Sequence, residues 1–308
     1  MFGLPRYNYE EFRRSRLLRD IAKGSSTAPR PGEQAPDFEL RTLDGDKIRL
    51  DELRQNSNVV LIFGSATCPL TVASVRPLQA LAGRFASRGV EFLLVYVREA
   101  HPGERLRAHR SLAEKVKAAE LLRREEKITF PILIDELNGK VHRQYGSLPN
   151  PTYIVDRSGR IAFRSLFTRP DAVRDALEEL LERQQERNVD HAVVRGGEDR
   201  RWPALRSLLY SQRALERGGE RAISEFRREL GVPGEIALVS SRLASPILEH
   251  PGATAATIAA VAGVLGLGLW VGAVLRRRRF EHLPYSAYDF MTREPLREGT
   301  SGYEAFGI

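Results

Sequence analysis

A single cysteine, Cys68, stands in 308 residues. That excludes an internal disulfide, and with it the stapled framework of small secreted domains. It also leaves no second thiol in the chain with which an oxidised Cys68 could be resolved. Lysine is scarce too: there are six, against 48 basic residues in all. The net charge of +8 is therefore carried by arginine, which suits bidentate contacts with carboxylates and phosphates. Apart from Arg276–Arg279 the basic residues are scattered, so no nucleic acid partner is expected. No set of Cys, His and Asp has metal-ligand spacing, and neither a metal nor another cofactor is expected. The first twenty residues hold no apolar core of signal-peptide length and no lipid-attachment motif. There are no internal repeats.

What is present divides the chain into five stretches. Residues 1–30 are polar and aromatic, end in "GSSTAPRPG", and read as an N-terminal extension and linker. Residues 31–188 alternate strand and helix patterns. "EQAPDFELRTLDGDKIRLDEL" alternates around a Leu-Asp-Gly turn, as a short hairpin does. Val59–Phe63, "VEFLLVYV" (90–97) and "FPILID" are apolar runs suited to buried strands. Helices are expected after Cys68, where Val72, Val75, Ala82 and Phe85 share a face and Pro77 should introduce a kink, and over 109–126 and 169–188. "PTYIVDRSGRIAFRS" reads as a hairpin. The order implies an α/β sandwich with a mixed sheet.

Residues 189–251 read as a basic helical linker with two amphipathic helices broken at Gly218-Gly219. Residues 252–275 hold no charged side chain over 24 positions. As a helix they would extend roughly 36 Å, enough to cross a hydrocarbon layer of about 30 Å. The alternative is a buried core helix, but four arginines at one end favour a transmembrane helix. Gly263, Gly266, Gly268 and Gly272 thin one face, as helix-helix contact in lipid requires. Residues 276–308 form a tail rich in aromatics: Phe280, Tyr285, Tyr288, Phe290, Tyr303 and Phe306.

Cys68 follows an apolar strand and heads a helix. A thiolate there is favoured by unpaired N–H groups and the helix dipole, which should lower its pKa. Two readings stand: an accessible, reactive thiol, or a small buried hydrophobe.

These motifs resemble the redoxin (AhpC/TSA-type) branch of the thioredoxin fold: "EQAPDFELRTLDG", the strand, Cys68 in its loop and the "NPTYIVDRSGRI" hairpin. Within that branch the chain is similar to the iodothyronine deiodinases, through "FGSATCP", "EAHP" at 99–102 and "HRSLAEKVKAAELL" at 109–122. The resemblance covers about residues 33–185. It implies a thioredoxin-like mixed sheet flanked by helices, to which this chain adds a helical linker and a single C-terminal transmembrane helix. It places Cys68 where the family has selenocysteine, and His101 where a histidine meets the phenolic end of the substrate. Glu99 begins the same tetrad as His101. Pro151 takes the place of a cis-proline facing the nucleophile. Ala66 stands where the deiodinases usually have a second cysteine. Ser65, three residues ahead of Cys68, resembles the peroxiredoxin pattern without its proline. His101 can also be an ordinary loop histidine, and His109 a helix cap.

Two functional classes follow. In one, the chain is a single-pass accessory subunit of a membrane complex, its redoxin-like body a docking module. Its partners would be integral membrane subunits, met through the glycine face and both tails, and membrane lipids. In the other, it is a membrane-tethered one-cysteine thiol reductase or peroxidase with Cys68 as nucleophile, His101 as donor and an external thiol as resolver. The expected location is the inner or an intracytoplasmic membrane, with the N-terminal domain cytoplasmic. The arginine-rich helices near 200–230 would then lie by the anionic leaflet.

Overall fold

The computed structural model describes residues 7–194, 196–201, 204–249 and Gly263. In chain order the elements are α1 (Arg14–Thr27), β1 (Glu39–Thr42), β2 (Lys47–Arg49), α2 (Leu50–Leu53), β3 (Asn58–Gly64), α3 (Pro69–Phe85), β4 (Val90–Tyr96) and α4 (Leu112–Glu126). There follow β5 (Ile132–Ile134), α5 (Lys140–Gln144), β6 (Thr152–Val155), β7 (Ile161–Ser165), α6 (Pro170–Arg187), β8 (Glu198–Asp199), α7 (Ala204–Gly218), α8 (Glu220–Leu230) and α9 (Val232–Glu249).

The strands form one mixed sheet in the order β2-β1-β5-β4-β3-β6-β7-β8. β3 pairs in parallel with β4 and antiparallel with β6, while β4 and β5 are parallel. β3 is buried along its whole length because both faces of the sheet are covered, which is why it reads as an unbroken apolar run. Its side chains still alternate. Val60 and Ile62 join Leu78 and Phe85 of α3 and Leu177 and Leu180 of α6 on one face. Val59, Leu61 and Phe63 join Leu50, Tyr145 and Tyr153 on the other. This is the mixed α/β sheet that the alternating pattern implied, in the thioredoxin-like form with flanking helices that the resemblance implied.

α3 continues as helix through Pro77, which lacks an N–H and so leaves the Ala73 carbonyl without its intrahelical donor. At the other end of β3, Gly64 has no substitute. A Cβ there would lie 2.5 Å from Thr71 Oγ1, so the missing side chain lets α3 close down on the strand.

The segments read as extension and linker do not behave as such. Tyr7 and Phe12 are buried, and α1 replaces the expected irregular stretch. The two helices foreseen after 200 are α7 and α8, broken at Gly219 with φ +100°. A further helix, α9, follows, and Ala222, Phe226, Ala237 and Leu238 pack with Leu215 in one apolar cluster. α7 lies along α3. One of its arginines turns inward: Arg217 is buried, paired with Glu126 and, at 2.7 Å, with Glu125 of α4. The described residues before Val261 thus belong to one compact unit, with no boundary at 188. Amphipathic periodicity told that these helices have an apolar face. It could not tell that the face is covered by the same chain.

No helix among the described residues is long and apolar enough to cross a membrane. The expected span at 252–275, Gly263 apart, and the aromatic tail at 276–308 lie outside the described residues.

Candidate functional site

The loop from Ser65 to Cys68 leaves β3 and delivers the cysteine to the N-cap of α3, with Pro69 at the first helical position. Proline there fixes the first turn and lacks an N–H that would have no partner. Thr71 Oγ1 accepts hydrogen bonds from Ser65 N at 3.3 Å and Asn150 Nδ2 at 3.3 Å. Its own hydrogen therefore remains to donate. The Thr71 hydroxyl and the N–H groups of Leu70 and Thr71 favour the thiolate of Cys68, yet burial outweighs them and pushes the thiol up. Cys68 is 2 % exposed. The expectation of an accessible thiol with a lowered pKa is thus corrected: helix-end stabilisation is present, but desolvation disfavours the charged form more strongly.

Behind the loop lies a buried polar network centred on Glu99. Its carboxylate accepts from Thr67 N at 3.0 Å, from Thr67 Oγ1 at 2.7 Å and from the Tyr96 hydroxyl. His109 Nε2 stands 3.1 Å away. Tyr96 OH accepts from Ala66 N at 3.1 Å, and Thr67 Oγ1 accepts from His101 N at 3.0 Å. Ser65 Oγ accepts from Ala100 N at 3.2 Å. Residues 65–67 and 99–101 are in this way stitched together. Burial pushes the Glu99 carboxyl up, but His109, Tyr96 and Thr67 together outweigh it and hold it below its ordinary value. His109 does not cap α4; Ser111 does, accepting from Glu114 N. From the far side, Arg217 Nη1 of α7 donates to Ala66 O at 3.0 Å.

His101 is buried, its ring 4.3 Å from that of Phe12 and 5.3 Å from that of Phe226. Nδ1 has no hydrogen-bond partner. Burial pushes its pKa down to about 3, so the ring is neutral. His101 and Cys68 line one cavity of about 270 Å³, whose walls are mostly apolar and include Leu17, Leu70, Phe226 and Leu230. A more open hollow of about 890 Å³ is lined by Tyr7, Glu10, Arg110 and Arg143, and Cys68 does not reach it.

Cys68, His101, Glu99 and Ser65 lie at one place, with Glu99 and Ser65 as ties and Cys68 and His101 on the cavity. Pro151 does not join them on that wall. Its peptide bond is not cis, and its carbonyl accepts from Phe63 N at 3.0 Å in the sheet. The prolines that line the cavity are Pro69, Pro149 and Pro233. Thr67, Thr71, Tyr96, Arg217 and Phe12 were not foreseen. Among the described residues no group of three or more His, Cys, Asp or Glu is placed to hold a metal ion.

With the geometry in hand, similarity to known proteins can be stated. Residues 31–164 match the sequence model of the AhpC/TSA family. The thyroxine 5-deiodinase of Gallus gallus is 33 % identical over 135 residues, 40 % of this chain and 52 % of that protein. The type I iodothyronine deiodinase of Xenopus laevis is 29 % identical over 142 residues, 43 % of this chain and 55 % of that protein. The chain spans about half the length of the curated relatives it matches. Among solved structures, the peroxidoxin BcpB of Mycobacterium tuberculosis is similar over 49 % of this chain and 95 % of its own, at 21 % identity and a TM-score of 0.38. A thiol-disulfide oxidoreductase from Bacteroides fragilis is similar over 48 % of this chain and 99 % of its own, at 18 % identity and a TM-score of 0.39.

Proposed function

We propose that the chain is a one-cysteine thiol reductase or peroxidase that acts through Cys68 with an external thiol. The observation that carries this reading is the pairing of Cys68, at the N-terminus of α3, with the unpartnered His101 nitrogen on one enclosed apolar cavity. A purely structural core would fill such a space or satisfy the nitrogen. With a peroxide, the Cys68 thiolate attacks one oxygen, the O–O bond breaks, and the leaving alkoxide takes a proton. The sulfenic acid then condenses with an external thiol, releasing water and forming a mixed disulfide. A second external thiol displaces Cys68 and carries away the disulfide. With a disulfide substrate the first step forms the mixed disulfide directly and expels a thiolate. Neutral His101 supplies a hydrogen bond to the leaving atom. The absence of any second cysteine requires the resolving thiol to come from outside. The test is dimedone trapping of Cys68 after peroxide, together with peroxide consumption in the presence of a small thiol. Neither adduct nor turnover would sink the reading.

A second reading is favoured by the same lone cysteine and by its burial: an accessory subunit of a membrane complex. Residues 252–275 would be its single transmembrane helix, with the glycine face against integral membrane subunits. The aromatic tail would serve as an anchor, and the N-terminal domain would stand on the cytoplasmic side of an inner or intracytoplasmic membrane. Purification in mild detergent decides it: a chain that migrates alone leaves this reading without a complex.

A further inference from the structure

The cavity walls come from three parts of the chain, and two of them lie outside residues 31–164. Cys68, Leu70 and His101 belong to the redoxin-like body. Tyr9, Phe12, Leu17 and Asp20 come from the N-terminal segment, and Phe226 and Leu230 from α8. Arg98 fixes the N-terminal segment at two points, and Asn8 Nδ2 donates to Leu137 O at 2.8 Å. Arg98 donates to Tyr7 O at 3.2 Å and to Asp20 Oδ2 at 2.7 Å. Tyr7 is anchored further. His142 Nε2 lies 2.6 Å from the Leu148 carbonyl, which can only accept, so Nδ1 accepts from Tyr7 OH at 2.7 Å.

The span between these points is held differently. Phe12 N donates to Glu225 Oε2 at 3.0 Å, Arg14 N to Glu229 Oε2 at 3.0 Å, and Tyr9 OH to Ala100 O at 2.9 Å. Glu10 pairs with Arg110 at 3.3 Å on an exposed surface. Water can satisfy each of these groups. What it cannot replace is the burial of the Phe12 ring against His101 and Phe226.

We propose that residues 8–13 form a strap that gates the Cys68 cavity, closed when Phe12 lies on the His101 ring and open when that ring is released. A second feature points the same way. The His101 Nδ1 atom, in a side chain more than nine-tenths buried, has no partner while the strap is closed, and lifting Phe12 exposes it to water or to a ligand. Cys68 lines the same cavity while packing against Leu70, Ala100, Leu148, Leu166 and Phe167, so opening admits water and reagents to the cavity side of the thiol. Access to the cavity is thereby coupled to one aromatic ring. As regulation this rests on the reading of Cys68 as a reactive thiol, but access and turnover are measured separately.

The experiment is the rate of Cys68 alkylation by iodoacetamide and by a bulky maleimide in the full chain. The wild type should react much more slowly than a free thiol. Phe12→Ala should raise the rate about tenfold or more, with the larger gain for the bulky reagent. Phe130→Ala, which removes an equally buried ring far from the cavity, should not. If Phe12→Ala does not fold, Glu225→Ala releases the Phe12 N–H without emptying the core and should raise the rate by a smaller factor. Wild-type labelling at the free-thiol rate, an unchanged rate in the strap variants, or an equal gain in Phe130→Ala would each overturn the gate. Faster alkylation without peroxide turnover would leave the gate standing and sink the enzyme reading instead.

Discussion

The cysteine loop has two unlike sides. Toward Glu99 the contacts are polar: three donors, Thr67 N, Thr67 Oγ1 and the Tyr96 hydroxyl, converge on one carboxylate, His109 Nε2 stands 3.1 Å away, and Arg217 closes on the Ala66 carbonyl. Toward the cavity the walls are mostly apolar, and His101 there has a nitrogen without a hydrogen-bond partner. A dense network of buried hydrogen bonds fixes position, because a departure leaves buried groups unpaired. An unsatisfied group in an apolar hollow lowers stability and persists where a ligand or a reaction completes it. The difference assigns positioning to one side and chemistry to the other, and the two should separate under mutation.

The largest effect is expected at Cys68. Cys68→Ser should abolish thiol-dependent turnover while changing the unfolding free energy by less than about 1 kcal/mol, since the site already tolerates a neutral group. Steady-state peroxide consumption and urea unfolding measure the two quantities. Retained turnover would move the chemistry away from this loop.

Glu99→Ala should do the reverse. Removing the carboxylate strands the buried Thr67 N–H and hydroxyl, at a cost of about 1–3 kcal/mol for each buried group left unsatisfied. The pH dependence has a definite sign. Because the folded Glu99 carboxyl is held below its ordinary value, its stabilisation is complete above the unfolded pKa of about 4.3 and is lost as pH falls through the lower folded value. Urea midpoints of wild type and variant should therefore converge in strong acid. A variant as stable as the wild type at neutral pH would show that the network is ornamental.

Arg217→Met ranks below this. It retains much of the apolar stem but loses the bond to Ala66 O and both glutamate pairs, a loss of about 2–3 kcal/mol. The readout specific to positioning is the Cys68 alkylation rate at fixed stability. If only stability moves, α7 supports the body without setting the loop.

How much of this was legible in the sequence follows the range of the interactions involved. Period and turn chemistry are local, so Val59–Phe63, the 151–165 hairpin and the helices at 109–126 and 169–188 could be read directly, and the α/β sheet with them. The chemistry-bearing cluster was legible because "FGSATCP" and "EAHP" keep their residue types side by side. Its environment was not. Whether Cys68 is exposed depends on Leu148, Leu166 and Phe167, far later in the chain, packing around it, and the cavity beside it is walled by Phe12 and Phe226. An isolated phenylalanine in "YEEFRRSR" carries no periodicity that would announce a core position. Arg217 likewise sits in a basic amphipathic pattern, and nothing local marks it as turned inward to Glu126 rather than outward to phosphates. The packing of residues 7–30 and 189–249 against the body was missed for that one reason: their partners are distant in sequence.

The smallest effect, and one of opposite sign, is expected at His101. Its Nδ1 is buried without a partner, which costs about 1–3 kcal/mol of desolvation. His101→Phe keeps a planar ring between Phe12 and Phe226 and removes that cost, so it should stabilise the fold by about 1 kcal/mol at pH 7. Turnover should fall, since the hydrogen bond to the leaving atom is gone. The gain should widen in mild acid. In the wild type the folded ring titrates near pH 3, against about 6.5 when unfolded, so the unfolded state takes up a proton that the folded state refuses. Wild-type stability from this group is complete above pH 6.5 and declines by about 1 kcal/mol per pH unit as pH falls toward 3. The variant lacks that slope, while His142, buried in both proteins, contributes equally and cancels. Urea unfolding at pH 7 and pH 5 should show the variant's advantage grow by about 1–2 kcal/mol. If the advantage is absent at pH 7 and does not grow at pH 5, His101 is already satisfied in solution. The apolar side of the loop would then be no less complete than the polar one.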